Sequence, residues 1–152
     1  MDPLDAPKSG KTLMIVEDEV LVAMTLRDVL EDAGYQVLDL TERHQDAVRV
    51  AQESRPALAL VNIRLAGRDD GIELAEHLKA LGVPVLFISG QVSRARTAQT
   101  VAIGSMPKPY SAPDMVVAVA YLLAWLDGDD SLPRPQGLEV FEAAGPSPAA
   151  AV

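Results

Sequence analysis

Five polar side chains directly follow short apolar runs of the sequence. They are Glu17 and Asp18, Asn62, Ser89 and Lys108. Two carboxylates, an amide, a hydroxyl and an ammonium group form a set that suits a hard cation and a phosphoryl group. Mg²⁺ prefers one or two carboxylates together with water and phosphate oxygens, and a lysine can act as a point charge on a phosphate. The sequence therefore indicates a cation and phosphoryl site, provided that the fold brings the five residues together.

The elements that must position these residues are indicated by the apolar pattern. Short continuous apolar runs predict strands at residues 13–16, 37–40, 58–61, 83–88 and 103–106. Helical spacing predicts helices at residues 20–33, around 47–51, at 72–81, at 93–101 and from 112 to 126. Ser111 is expected to cap the last helix, with Pro113 in its first turn.

This alternation of strands and helices predicts the fold class. Strands that are short and wholly apolar, each followed by a helix, imply a parallel sheet covered on both faces. With right-handed crossovers, the simplest arrangement is an α/β doubly wound, flavodoxin-like sheet of five parallel strands in the order 2-1-3-4-5, with five helices. Ligands of such sheets bind outside the carboxyl ends of the strands, so the five polar residues are expected at one edge.

At this point the sequence resembles response regulator receiver domains, over roughly residues 11–126. The pair Glu17 and Asp18, the end of the third strand, Ser89 and the Lys108–Pro109 dipeptide are similar to the acidic pair, phosphoacceptor, Ser/Thr and Lys-Pro signatures of that family. Residues 61–71 also resemble the receiver loop DIRLPGMDG. Residues 87–90 resemble the Phe-Ala-Thr-Gly of the FAT GUY subgroup, which pairs with a particular class of sensor kinases.

The resemblance implies a role for each residue of the set. Glu17 and Asp18 would bind Mg²⁺, with the backbone carbonyl of Arg64 as a third protein ligand. Ser89 would donate a hydrogen bond to a phosphoryl oxygen, Lys108 would neutralise its charge, and the peptide bond after Lys108 would be cis. The protein would be a signalling module rather than an enzyme, with a sensor histidine kinase or a phosphotransfer protein as its partner.

Two positions depart from the family pattern. Asn62 stands where the family has its acceptor aspartate, and a carboxamide is a poor nucleophile that cannot form an acyl phosphate. The protein as written is therefore expected to be non-phosphorylatable and to bind Mg²⁺ only weakly, because one formal charge is missing from the site. Ser105 stands where the family has its switch aromatic, three residues before Lys108, so coupling through an aromatic rotamer is not expected.

Composition sets the domain organisation and excludes several classes of function. The 152 residues suit one domain: a flexible N-terminus at 1–10, a receiver domain at 11–126 and an acidic, Pro/Ala-rich, mostly disordered and dispensable tail at 127–152. A net charge of −9 argues against nucleic-acid and anionic-membrane binding. The absence of cysteine excludes disulfides and thiolate sites. Without a signal peptide or a membrane-length apolar run, a cytoplasmic protein is expected.

Two alternatives from other classes stay open, a small Mg²⁺-dependent phosphatase and a flavodoxin-like cofactor protein. A phosphatase that forms an aspartyl phosphate needs an aspartate at a strand end, and Asn62 removes it. A flavin site needs a phosphate-cradling loop after the first strand, where residues 17–19 would repel phosphate.

Partner contacts, including a possible homodimer, are expected through the face formed by helix 4, strand 5 and helix 5. Arg94, Arg96 and Ser105 would lie on this face, with both arginines exposed to solvent. His44 and His77 are interpreted as surface residues without a partner that suggests catalysis.

Overall fold

The computed structural model describes residues 11–67 and 69–144. The predicted flexible N-terminus and residues 145–152 of the predicted tail lie outside the described residues. Strands and helices alternate as β1 Thr12–Val16, α1 Val20–Asp32, β2 Gln36–Val37, α2 His44–Ser54, β3 Leu58–Asn62, α3 Gly71–Ala80, β4 Val85–Ser89, α4 Val92–Thr97, β5 Gly104–Pro107, α5 Ala112–Leu126 and β6 Glu139–Val140, followed by a 3₁₀ helix at Glu142–Ala144.

The sheet has the strand order β2-β1-β3-β4-β5-β6. The five strands from β2 to β5 pair in parallel, so the predicted α/β fold with strand order 2-1-3-4-5 and five helices is confirmed. Strands β3 and β4 are buried along their whole length, which explains their unbroken apolar sequences. The sixth strand, β6, is antiparallel to β5 and was not predicted.

The core lies in two layers, one on each face of the sheet. Along β3, the side chains of Leu58 and Leu60 join the layer formed with α1 and α5, whereas Ala59 and Val61 join the layer formed with α2, α3 and α4. This alternation follows from the period of two along a strand. Both layers are built almost entirely from aliphatic side chains, as the low aromatic content of 4% requires.

Helix α4 is shorter than its sequence pattern predicts. It ends at Thr97, and residues 98–101 continue as turns in which Ala98 and Val101 donate to carbonyls three residues earlier. The Thr97 hydroxyl donates to the Arg94 carbonyl at 2.6 Å. A side chain that bonds the backbone of the preceding turn competes with the helical pattern, which explains the early end.

Helix α5 begins as predicted. The Ser111 hydroxyl accepts a hydrogen bond from the Asp114 backbone N–H at 3.2 Å, and Pro113 lies in the first turn.

Helix α5 has 15 residues, fewer than the roughly 20 that a membrane span needs. Among the described residues, no helix is both long and apolar enough to cross a membrane.

The prediction of a mostly disordered tail is wrong for residues 127–144. This segment supplies β6 and buries Leu138 and Phe141, which are 7% and 3% exposed. Its connection to α5 is held by an ion pair between Asp127 and Lys11 at 2.9 Å and by a hydrogen bond from Arg134 to the Tyr121 hydroxyl at 2.7 Å. The acidic, proline-rich composition of this stretch favours disorder, but the short apolar patch at residues 138–141 buries enough side-chain surface to dock on the domain.

Candidate functional site

The polar cluster forms where β1 and β3 end side by side. Val16 is paired with Val61 in the parallel register, so the next residues, Glu17 and Asn62, are neighbours. The Asn62 side-chain Nδ2 donates to Glu17 Oε2 at 2.9 Å and lies 3.2 Å from Asp18 Oδ1. It also lies 2.7 Å from the backbone carbonyl of Arg64. Three oxygens thus converge on one amide nitrogen.

Lys108 reaches the same cluster from the loop between β5 and α5. Its Nζ lies 3.1 Å from Glu17 Oε1, and the peptide bond between Lys108 and Pro109 is cis. The Lys108 backbone N–H donates to the Ser89 carbonyl at 3.0 Å, which ties this loop to the end of β4. The fold therefore gathers residues that are up to 91 positions apart in sequence.

Ser89 lies at the same edge, at the end of β4, and is buried. Its hydroxyl accepts a hydrogen bond from the Gln91 backbone N–H at 2.7 Å. This bond stabilises the turn between β4 and α4. Ser89 is thus joined to the cluster through its backbone contact with Lys108, while its hydroxyl bonds its own loop.

The two neighbouring carboxyl groups have opposite pKa shifts. Burial raises the pKa of Glu17, and its contact with Asp18 raises it further, outweighing the opposing effect of Lys108. The hydrogen bond with Glu17 lowers the pKa of Asp18. Of these two neighbouring carboxyl groups, the buried one of Glu17 is therefore the weaker acid.

The oxygen atoms of the cluster are of the type that binds Mg²⁺, since this ion takes oxygen ligands in a near-octahedral set at about 2.0–2.1 Å. With the Asn62 side chain in its present orientation, the point where these oxygens converge is occupied. The Asn62 amino group, a hydrogen-bond donor, lies at the point where the oxygens of Glu17, Asp18 and Arg64 converge. Among residues 11–67 and 69–144, no group of three or more acidic or histidine side chains is placed to hold a metal. A metal would have to displace the amide.

Gly71 brings the loop after β3 close to the cluster. Its N–H donates to the Ile63 carbonyl at 2.7 Å. A Cβ at this position would lie 2.3 Å from the Asn62 backbone oxygen and 2.7 Å from the Ile63 Cα. Only glycine allows this approach, and the approach holds the Arg64 carbonyl beside the Asn62 side chain.

Asp70 and Arg94 make contacts that the sequence did not reveal. The Asp70 side chain caps α3 by accepting from the Ile72 N–H at 2.8 Å, and it also forms an ion pair with Arg94. Arg94, which was expected to be exposed, keeps 41% of its side chain exposed and is also held in this ion pair. The residue connects α4 to the start of α3, beside the loop that carries the cluster.

His44 and His77, interpreted as surface residues without a partner that suggests catalysis, contact each other. His44 Nε2 and His77 Nδ1 are 2.7 Å apart, and the rings meet edge to face with centroids 5.0 Å apart. The Asp69 carboxylate accepts from the His44 N–H at 2.9 Å. The pair joins α2 to α3, and only the distance between helices, which the sequence does not give, could have revealed it.

The face expected to bind partners is partly covered by the chain itself. Ser105, the expected switch position, is buried and pairs with Glu139 of β6. The Arg96 Nε donates to both carboxylate oxygens of Glu139 at 2.9 Å. Arg96 is thus engaged within the chain, and the edge of β5 is closed by β6.

Comparison with known proteins agrees with this geometry. Residues 13–120 match the response regulator receiver domain family. The chain is 36% identical over 99 residues to the phyllosphere-induced regulator PhyR of Methylorubrum extorquens, which covers 64% of this chain and 35% of that protein. It is 29% identical over 115 residues to the transcriptional regulatory protein PdtaR of Mycobacterium tuberculosis, covering 72% of this chain and 55% of that protein. The chain thus spans between about a third and about half of these relatives.

Solved structures give the same result. The signal receiver domain of a modulated diguanylate cyclase from Desulfovibrio desulfuricans is 40% identical, with a TM-score of 0.62 over 68% of this chain and 85% of that one. The anti-anti-sigma factor PhyR of Bartonella quintana is 26% identical, with a TM-score of 0.69 over 79% of this chain and 51% of that one. The chain therefore belongs to the response regulator receiver domain family of two-component signalling.

Proposed function

We propose that this receiver meets a sensor histidine kinase or a phosphotransfer protein by contact and accepts no phosphate at position 62. The observation that carries the proposal is the Asn62 carboxamide at the centre of the strand-end cluster. Its nitrogen lone pair is delocalised into the carbonyl, and an amide oxygen cannot form a stable acyl phosphate. The chain would compete for or sequester a partner rather than pass phosphate on.

Mg²⁺ binds weakly under this proposal. The ion would have to turn the Asn62 amide so that Oδ1 replaces Nδ2 toward Glu17, Asp18 and the Arg64 carbonyl. That movement breaks the hydrogen bonds that the amide donates, each worth about 0.5–1.5 kcal/mol net and more when the acceptor is charged. The two remaining carboxylates supply one charge fewer than a site with an acceptor aspartate.

Lys108 and Ser89 retain positions from which they could contact a phosphoryl group carried by the partner. Lys108 is paired with Glu17 through a side chain that is 30% exposed, so an anion entering from solvent can draw it away. The Ser89 hydroxyl accepts from the Gln91 N–H, and a hydroxyl that accepts one hydrogen bond can also donate one. These two residues would recognise phosphate on the partner without receiving it covalently.

The partner would dock over the first turn of α1. Val20 and Leu21 are exposed there to 59% and 79%, and Leu21 lies on a groove that Pro109 and Tyr110 also line. Exposed apolar side chains grouped beside a functional site indicate a protein-binding surface. The groove also contains Lys108, so a partner helix lying in it would reach the cluster.

Neither alternative function is favoured. Residues 13–120 match the receiver domain family, and a solved signal receiver domain is 40% identical. The start of the loop after β1 carries Glu17 and Asp18 rather than a phosphate-cradling backbone. Absence of turnover on simple phosphate esters and absence of bound flavin would agree with this view.

The test of the proposal is phosphoryl uptake by the full chain. The wild type, Asn62→Asp and Asn62→Asp/Lys108→Ala are treated with phosphoramidate and Mg²⁺ and measured by intact mass. We expect one phosphoryl group on Asn62→Asp, little on the double variant and none on the wild type. Phosphorylation of the wild type, or failure of Asn62→Asp to react, would contradict the proposal.

A further inference from the structure

The edge of β5 carries a short antiparallel strand from the chain's own C-terminal part. Gly104 pairs with Val140 and Ser105 with Glu139, and the Phe141 N–H donates to the Ile103 carbonyl at 2.8 Å. An uncovered β5 edge would leave such backbone groups open to another chain. Residues 137–141, called the edge segment here, therefore occupy a surface that is suited to strand pairing.

The edge segment is anchored on both faces of the sheet. The Leu138 side chain is buried in the core layer of α1 and α5, and the Phe141 side chain is buried in the layer of α2, α3 and α4. Between them, Glu139 accepts two hydrogen bonds from Arg96. The β5 edge thus selects an extended strand that has two apolar anchors and one acid at a fixed spacing.

Gly104 is the residue of β5 that admits this strand. A Cβ on Gly104 would lie 2.7 Å from the backbone oxygen of Glu139. A glycine inside a strand often marks the close approach of another backbone, and here that backbone is β6. The β5 edge is therefore shaped for the edge segment, rather than covered by it by chance.

We propose that the β5 edge is a strand-binding site for the edge segment, filled in cis in the isolated chain and in trans by the edge segment of a second copy. Each copy carries both the site and its ligand, so no other component is needed. The connection of residues 127–136 supplies the cis segment at an effective concentration on the order of millimolar. Exchange therefore occurs when the cis contact is weakened, and it places the second copy against the face formed by α4, β5 and α5. This inference does not depend on Asn62.

The first test mixes two full-length variants that each lack one half of the interaction. Gly104→Ala blocks the β5 edge and leaves the edge segment free, whereas Leu138→Ser removes an anchor of the segment and leaves the edge free. We expect each variant alone to be a monomer by analytical ultracentrifugation. Their mixture should form a 1:1 heterodimer that the wild type does not form at the same concentration.

The second test uses a synthetic peptide of residues 134–144 as the ligand. Full-length Leu138→Ser should bind it at least about tenfold more tightly than the wild type, in which the cis segment competes. Leu132→Ser is the matched control, because Leu132 is an exposed leucine of the same tail, and it should behave as the wild type.

A charge exchange keeps the proposal testable if Leu138→Ser does not fold. Glu139→Arg repels Arg96 on the surface and should release the segment, whereas Arg96→Glu/Glu139→Arg should restore the closed monomer. Hydrogen exchange at the β5 amides reports the release directly. A mixture that stays monomeric together with a peptide that binds no released variant would overturn the proposal, as would a wild type whose β5 amides exchange freely.

Discussion

Lys108 and Asn62 use opposite oxygens of one carboxylate. The Lys108 Nζ lies 3.1 Å from Glu17 Oε1, and the Asn62 Nδ2 lies 2.9 Å from Glu17 Oε2. Glu17 is buried, so these two donors supply the contacts that offset the loss of its hydration. Both oxygens of the Glu17 carboxylate consequently have hydrogen-bond partners while position 62 carries a neutral residue.

Asn62→Asp should destabilise the metal-free protein by roughly 1–3 kcal/mol near neutral pH. The substitution replaces an amide donor with a third carboxylate facing Glu17 and Asp18. Like charges about 4 Å apart repel by about 4 kcal/mol at an effective dielectric near 20, before relaxation and protonation reduce the effect. Mg²⁺ should recover most of the loss, because a ligand that binds only the folded state stabilises it. Urea unfolding with and without Mg²⁺ measures both effects.

Gln36→Glu is the matched control for this experiment, since Gln36 is an exposed amide at the start of β2. The same change of charge there should alter the free energy of unfolding by no more than about 0.5 kcal/mol. Equal losses in the two variants would mean that net charge, and not the strand-end cluster, is responsible.

The wild type should bind Mg²⁺ only at high concentration, and the binding should be local. Titration followed by backbone amide shifts should move the resonances of residues 17, 18 and 62–64, because those residues surround the Asn62 amide. Asn62→Asp should respond at much lower Mg²⁺ concentration. Shifts confined to the acidic residues 127–130 would instead place the weak site on the tail.

The sequence predicted this cluster because two rules combine. The two acids, the amide and the lysine of the cluster all follow apolar runs of the sequence. Parallel strands bring their carboxyl ends to one edge of the sheet. The rules say nothing about which atom of Asn62 faces inward. The donation to Glu17, Asp18 and the Arg64 carbonyl depends on the loop after β3, whose path is set by the contact between Gly71 and the Asn62 backbone.

Phe141→Ala should lower the free energy of unfolding or release the edge segment, whichever costs less. Truncating a buried phenylalanine to alanine in a rigid core costs about 3–5 kcal/mol of unfolding free energy. The segment can instead detach from β5, so the measured loss is limited to the free energy of its docking. Truncation after Leu126 measures that limit, and we expect its melting temperature to fall by several degrees. Leu132→Ala, at an exposed leucine, should change little.

The position of the edge segment could not be predicted from composition. Residues 138–141 form a short apolar patch within an acidic, proline-rich stretch, and such stretches are commonly disordered. Gly104, an isolated glycine within a predicted strand, is the sequence signal for a close backbone approach at this edge. The strand that approaches Gly104 is held by the contact between Glu139 and Arg96, which lie 43 residues apart. The sequence pattern does not specify that pairing.

Gly71→Ala should destabilise the protein by about 1–3 kcal/mol or more, the usual cost of overpacking. The new methyl group would lie 2.3 Å from the Asn62 backbone oxygen, so the loop after β3 must move away from the cluster. Gly90→Ala is the control, because a Cβ on Gly90 meets nothing within 4 Å. Chemical unfolding measures both variants, and a loss in Gly90→Ala equal to that in Gly71→Ala would show that the close approach has no special role.

Alkaline pH should destabilise the fold through two tyrosines. Burial raises the pKa of Tyr35 above its ordinary 10.0, and burial together with the charge of Glu17 raises the pKa of Tyr110. The folded state then binds more protons than the unfolded state between pH 10 and the raised values, so the free energy of unfolding falls as pH rises through that window.

The stability that these neutral phenols contribute is fully present below pH 10. Tyr110→Phe should therefore show a shallower loss of melting temperature above pH 10 than the wild type. In the folded protein, Glu17→Gln should shift the ultraviolet absorbance titration of Tyr110 to lower pH, because a nearby negative charge disfavours the phenolate. Glu142→Gln, at an exposed acid, is the control and should leave the titration unchanged. A Tyr110→Phe protein that loses stability as steeply as the wild type would show that Tyr110 ionises as readily in the folded chain as in the unfolded one.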